Sequence, residues 1–271
     1  MSTVSFVKAH ACGNDFLVME ESVAEKRHAA MARKLCARNT GIGADGIEFL
    51  DRRADGSFFL RLFNADGSEA ELSGNGTRCV AAWLAANEGL EEVALGTHGG
   101  VRTCRVVERN GAEWWIESGM GVPRVMPRKI EIAGVAGVID GAMVNVGNPH
   151  YVIFVESDDF SSHGLSWQEL GAKISVDPIF KFGTNVEFVK VLGENEIAFR
   201  IFERGCGPTT SSGTGTCASS SAAIALRGVA RTLTAVAQGG TQSVVWPSGQ
   251  EQMMLTGPAE IICRGEAEFG A

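Results

Sequence analysis

Two serines, each opening a glycine turn, are the residues of this chain best placed to do chemistry. Ser73-Gly74-Asn75-Gly76-Thr77 and Ser212-Gly213-Thr214-Gly215-Thr216 stand 139 residues apart, and Arg61-Leu62-Phe63 and Arg200-Ile201-Phe202 precede them at the same offset. Each turn runs into an Ala-rich stretch that reads as a helix, so its first backbone N–H groups lack intrahelical partners and can hold an anion. Two helix starts on one carboxylate would each add about 0.3–1 kcal/mol of dipole attraction, and more when buried. The blander reading is that each serine caps its helix while glycine allows tight packing. Duplication in register weighs against that reading and suggests two similar halves with the active site between them.

A second cluster is rich in carboxamides. Asn14, Asn64, Asn75, Asn148 and Asn185 all lie in turn-like contexts, where asparagine is common for structural reasons alone. Taken with Glu203-Arg204, they can supply partners for both an ammonium and a carboxylate, which together describe an amino acid. Gly41-Ile42-Gly43-Ala44-Asp45-Gly46 spells a dinucleotide fingerprint, with Asp66 twenty residues beyond it. That fingerprint needs a strand before and a helix after. Here a helical stretch precedes and Ile47-Glu48-Phe49-Leu50 follows, so the segment reads as a helix-to-strand turn.

The elements that must position these residues follow from periodicity and turn signals. In the first half, strands are expected near 4–8, 16–19, 47–50 and 57–63, with a loop over 10–15 and a helix from about Val23 to Arg38. A helix from Thr77 to Asn87, apolar on nearly every side and closed by Gly89, should be buried. Residues 92–118 read as strand-rich with turns at 99–100 and 111, and Gly119–Pro123 as the crossing point. The second half is expected to carry strands near 143–146, 151–155, 186–192, 196–202, 232–237, 243–246 and 253–256. Its helix runs from Thr216 to Arg227 and ends at Gly228. The halves are thus 1–118, completed by about 258–271, and 119–257.

At 271 residues, 45% hydrophobic and 21% charged, the chain is long enough for two cores. A net charge of −8 and a pI near 5.2 leave no broad basic surface for nucleic acid or an anionic membrane. No leader-like segment and no long apolar run is present, so a cytoplasmic protein acting on a small molecule is expected. Seven cysteines include no C-x-x-C pair and the five histidines are scattered, so neither a disulfide framework nor a metal site is expected.

Beyond these readings, His10-Ala11-Cys12-Gly13-Asn14-Asp15-Phe16, Gly41–Asp45, Phe63–Glu69, Gly74–Cys79, Gly147-Asn148-Pro149-His150 and Glu203-Arg204-Gly205 resemble the diaminopimelate epimerase family in order and spacing over essentially the whole chain. The resemblance implies an α/β (α+β) fold of two pseudo-symmetric halves, each a mixed β-sheet wrapped around a central buried helix, with substrate in the cleft. It implies inversion of an amino acid's α-carbon without a cofactor, interconverting LL- and meso-diaminopimelate for lysine and cell-wall synthesis, and a homodimer. By position, Asn14, Asn64, Asn148, Asn185, Glu203 and Arg204 would contact the non-reacting end of the substrate. Gly74-Asn75 and Gly213-Thr214 would donate N–H groups to the reacting carboxylate.

The catalytic pair departs from the family. Cysteine stands before each glycine turn in the family, one thiolate to take the α-proton and one thiol to deliver another, whereas this chain has Ser73 and Ser212. A thiol of pKa about 8.5 can be tuned to thiolate at a helix N-terminus. A serine hydroxyl is weak until a base activates it, and no sequence-adjacent His or Lys offers one. Gly46 and Pro208 also differ from the family's glutamine and glutamate.

Three readings stay open. Ser73 and Ser212 act as acid and base, alone or with a thiol such as Cys12, Cys206 or Cys217; or serines have replaced the cysteines of an active epimerase; or the fold has moved to another substrate or to binding. Cys79 and Cys217 fall on the buried helices and read as core. The expected function is a pyridoxal-independent amino-acid epimerase, most simply of diaminopimelate. The alternatives are a silent amino-acid-binding protein on the same fold and an isomerase of a different amino acid or small carboxylate.

Overall fold

The computed structural model describes residues 2–270. The chain divides into two compact units, one running to Ser118 and resuming at Thr256, the other spanning Gly119–Leu255.

The first unit opens with β1 (Ser2–Ala11) and β2 (Asn14–Glu20). In place of the expected six-residue loop, Cys12 and Gly13 alone connect them, at φ of 52° and 80°. Positive φ at both central residues gives a two-residue hairpin turn whose twist matches the flanking strands. The helix expected from Val23 is also shorter: a single 3-10 turn covers Glu21–Val23, and α1 begins only at His28 and ends at Leu35. Glu25 and Lys26, at φ of 46° and 67°, are left-handed and cannot continue a right-handed helix between the two.

β3 (Gly46–Arg52) and β4 (Phe58–Asn64) follow, then the two-residue β5 (Glu69–Ala70) and α2 (Gly74–Glu88). Ser73 is the N-cap of α2, and Gly89 stops it in the left-handed conformation at φ 69°. β6 (Glu92–Gly96), β7 (Arg102–Asn110) and β8 (Glu113–Gly119) complete this stretch. Pairing is antiparallel except for β2–β3 and β4–β6, which are parallel. Alternation along β3 decides what faces what: Ile47 and Phe49 pack with Met31 and Leu35 of α1, while Leu50 packs with Val80 and Leu84 of α2. Glu48 shares the α2 phase with Leu50.

The second unit repeats this plan. It contains β9 (Arg124–Ile130), β10 (Ile139–Asn145), β11 (Pro149–Phe154), α3 (Trp167–Ser175), β12 (Asn185–Gly193), β13 (Glu196–Glu203), β14 (Gly207–Thr209), α4 (Gly213–Arg227), β15 (Thr232–Ala237) and β16 (Gly240–Val245). Its parallel pairs are β11–β12 and β13–β15, the counterparts of β2–β3 and β4–β6. α4, buried along most of its length, packs against Ala142, Val152, Val189 and Phe199, and α3 covers the other face through Leu170 and Ile174. Sequence patterning did not anticipate β9 or α3. α3 nevertheless carries a full capping box, with Ser166 and Glu169 each bonding the other's backbone. The last strand, β17 (Met254–Phe269), is far longer than the expected 253–256 and pairs antiparallel with β1 in the first unit.

Each unit is therefore a mixed sheet curved around one buried helix. Among the described residues no helix is long and apolar enough to cross a membrane.

Candidate active site

Each unit carries one capped glycine turn at the start of its buried helix. Ser73 is extended, at φ −123° and ψ 123°, and its Oγ accepts the Gly76 N–H at 3.0 Å, while the Thr77 N–H bonds the Ser73 carbonyl at 2.9 Å. Ser212 repeats the geometry at φ −147° and ψ 128°, accepting the Gly215 N–H at 3.2 Å, with Thr216 N–H bonded to its carbonyl at 2.9 Å. Both serines do cap their helices. The cap leaves the next two amides of each turn, Gly74 and Asn75, then Gly213 and Thr214, without intrahelical acceptors. Capping and anion binding thus use different N–H groups of one turn.

In the first unit the Ser73 turn is joined to the β1–β2 hairpin. Asn75 Nδ2 donates to Asn14 Oδ1 at 3.2 Å, and Asn14 Nδ2 donates to Asp45 at 2.6 Å. The buried Arg78 donates to Asn75 Oδ1 at 2.5 Å. Arg38 binds Asp15 at 2.8 Å and Asp45 at 2.7 Å, and Lys8 reaches Asp15 at 3.1 Å. Burial opposes ionisation of Asp15, but the hydrogen bonds from Arg38 and Lys8 outweigh it and hold its carboxyl below the usual range. Asn64 stands directly across β3–β4 from Gly46 and donates to Ser68 Oγ at 3.0 Å. Gly46 has no room for a side chain: a Cβ there would lie 2.7 Å from the Phe63 carbonyl oxygen.

In the second unit the expected residues are linked by hydrogen bonds. Asn148 Nδ2 donates to Thr214 Oγ1 at 3.4 Å, and Thr214 Oγ1 lies 3.3 Å from Ser212 Oγ. Asn185 donates to the Pro149 carbonyl at 3.2 Å and accepts the Arg204 N–H at 2.9 Å. The Arg204 guanidinium bonds the Phe182 carbonyl at 2.8 Å, and Glu203 accepts from Thr209 at 2.5 Å.

Sequence reasoning missed three residues here. His150 Nε2 meets Asn148 Oδ1 at 2.8 Å and its Nδ1 meets Glu187 at 2.5 Å, with both side chains fully buried. Because Asn148 Oδ1 can only accept, His150 Nε2 must carry a proton, and a single further proton is shared between Nδ1 and Glu187. Burial pushes the Glu187 carboxyl up, while the charge and hydrogen bond of His150 pull it back. The series Glu187, His150, Asn148, Thr214 ends on Ser212, whose oxygen can accept from both Gly215 and Thr214. The third residue, Glu48, is buried on β3 beneath α2. One signal was available: Glu48 and Glu187 are each an acidic residue flanked on both sides by apolar strand residues, Ile47 and Phe49 or Val186 and Phe188, and they are 139 residues apart like the serines.

Cys79 and Cys217 are fully buried, and burial pushes the Cys79 thiol far up; Cys206 is exposed in the β13–β14 turn. Among the described residues no group of three or more His, Cys, Asp or Glu side chains is disposed to hold a metal ion.

Comparison with known proteins agrees along the whole chain. The sequence model of the family described as diaminopimelate epimerase matches residues 6–126 and 142–262, one stretch in each unit. The diaminopimelate epimerase of Pelotomaculum thermopropionicum is 35% identical over 97% of this chain and 99% of its own length, and that of Synechocystis is 35% identical over 98% and 99%. Among solved structures, a phenazine biosynthesis protein of the PhzF family from Bacillus anthracis superposes with a TM-score of 0.73 over 99% of this chain and 100% of its own, at 15% identity, which speaks to fold alone.

Proposed function

Since this chain belongs to the diaminopimelate epimerase family, we propose that it inverts the α-carbon of diaminopimelate by removing and returning a proton, with Ser73 and Ser212 at the two proton-transfer positions. The observation that carries this reading is the matched pair of capped turns. In each, a serine Oγ stands beside two amides free of intrahelical acceptors. The Gly74-Asn75 and Gly213-Thr214 amides bind the reacting carboxylate, and as the α-proton leaves they stabilise the charge that spreads into it. Fixed N–H dipoles at a buried helix start need no reorganisation during the step. The electron pair is taken up by the substrate's own carboxylate, so the scheme uses neither pyridoxal phosphate nor a metal.

Asn14, Asn64, Asn148, Asn185, Glu203 and Arg204 recognise the distal end, where Glu203 and Arg204 provide the charges that complement an ammonium and a carboxylate. Ser212 is the better proton donor of the pair, because its oxygen accepts the Gly215 N–H and can also accept from the Thr214 hydroxyl, which stabilises the alkoxide left when the proton departs. The same reading makes the protein a cytoplasmic homodimer acting on a free amino acid.

Solvent deuterium tests the reading. Incubated in D2O with LL- or meso-diaminopimelate, the protein is expected to wash deuterium into the α-carbon of both isomers. No incorporation, under conditions where a cysteine-bearing relative exchanges, sinks it. Serine at both proton-transfer positions favours one second reading, a silent amino-acid binder. Calorimetric binding of diaminopimelate without exchange would select that alternative.

A further inference from the structure

We propose that Glu48 receives the hydroxyl proton of Ser73 as Ser73 takes the α-proton of the substrate, which makes Glu48 a positioning residue acting through the serine. The inference rests on the epimerase reading above and supplies the base that Ser73 lacks.

The placement is specific. Glu48 faces α2 from β3, and its strand neighbours Val18 and Leu62 are apolar. A Cβ built on Gly76 would fall 1.9 Å from Glu48 Oε1, so the carboxyl lies against the backbone of the residue whose N–H caps onto Ser73 Oγ. Any side chain at 76 would occupy the place of the Glu48 carboxyl. Glu48 is 1% exposed, and its Oε1 finds no hydrogen-bond partner among the described residues. A buried carboxyl left unpaired in this way is costly, and structural carboxyls are normally satisfied.

The duplicated architecture shows what is unusual about it. Phe16 pairs with Gly46 on β2–β3 as His150 pairs with Asn185 on β11–β12, so the two pairs occupy the same place in their units. Glu187 therefore has an imidazole where Glu48 has a phenyl ring. The other titratable and charged groups around the Ser73 turn are committed elsewhere. Asp15 and Asp45 are tied to Arg38, Lys8 and Asn14, and Arg78 donates to Asn75. Cys79, whose surroundings include Arg78, Glu48, Cys12 and Asp15, is held as a neutral thiol by burial. Cys12 is buried in the hairpin turn. Burial pushes the Glu48 carboxyl up to about 8, so its charge changes near neutrality rather than near pH 4.

The step balances without a co-reactant. The Cα–H bond breaks and its proton bonds to Ser73 Oγ, while the Ser73 O–H bond breaks and that proton bonds to Glu48. The electron pair of the C–H bond passes into the carbanion, delocalised onto the carboxylate at the amide turn. Run backwards, a protonated Glu48 reloads Ser73, which protonates the carbanion. Nothing is oxidised or reduced.

Glu48→Gln is the test, because glutamine copies the neutral carboxyl in size and keeps any packing role. Wild type is expected to show an exchange rate that rises with pH through about 8, and E48Q to lose that limb and at least about 100-fold in rate at pH 8, the scale of one general base. E48D should recover part of the rate. In a Ser73→Cys background, where a thiol can ionise by itself, E48Q should cost less than about tenfold. E48Q within threefold of wild type with the limb intact overturns the inference while leaving the epimerase reading standing, and an equal loss in both backgrounds assigns Glu48 a structural role and also overturns it. A wild type that exchanges nothing overturns both readings together.

Discussion

Two buried carboxyls with the same address in a repeated fold carry different chemistry because one neighbour differs. Glu187 shares a proton with His150, while Glu48 faces Phe16 and Val18, and desolvation keeps it neutral until the pH approaches about 8. Its folded pKa of about 8 lies above the unfolded value of about 4.3. The stability of the protonated form is therefore present in full below about pH 4.3 and is lost as pH rises through about 8. At about 1.4 kcal/mol per pKa unit, the loss amounts to a few kcal/mol. Glutamine cannot ionise. The Tm of E48Q relative to wild type is thus expected to climb as pH goes from 5.5 to 9 in thermal melts, and a difference independent of pH would show that the carboxyl is not buried in a neutral state.

At the scale of elements, the decisive feature is how closely a strand approaches a helix start. α2 can lie on β3 only because residue 76 has no side chain, and at the same point of the second unit a Cβ on Gly215 would fall 2.6 Å from Ile201 Cδ1. Gly76→Ala should destabilise by about 1–3 kcal/mol in urea unfolding, through overpacking against Glu48. With Glu48→Ala already in place the clash disappears, and alanine should be neutral or mildly favourable in the first turn of the helix. An equal cost in both backgrounds would place the strain elsewhere. The helix ends are independent of this contact: Gly89 and Gly228 both stop their helices at φ 69° with open space around them.

The molecule as a whole repeats one αβ plan, each unit with its own apolar core around α2 or α4. A ligand bound only by the folded chain stabilises it by mass action, about 2.7 kcal/mol at a hundred times Kd. For a chain of this size that is a rise in Tm of several degrees. Diaminopimelate is expected to give such a shift. L-lysine, which lacks the distal carboxylate, should give much less if Arg204 and the carboxamides read that end. Equal shifts, or none with diaminopimelate, would remove the distal-end assignment.

The repeat, the two capped glycine turns, the buried Ala-rich helices and their glycine stops were legible in the sequence, because each is a local pattern with a local cause: a cap residue, a glycine at positive φ, or an apolar face. The mixed-sheet fold around a central helix came from matching motifs in order. What only the tertiary structure decided is what lies beneath the turns. Whether Glu48 points to α2 or α1 depends on strand phase, and whether it meets an imidazole or a phenyl ring depends on the pairing of β2 with β3, residues some 30 positions apart in the chain. The late start of the first helix likewise turned on two left-handed residues, Glu25 and Lys26, that carry no glycine signal. Register and phase are long-range quantities, set by the packing of whole strands, and no window of sequence contains them.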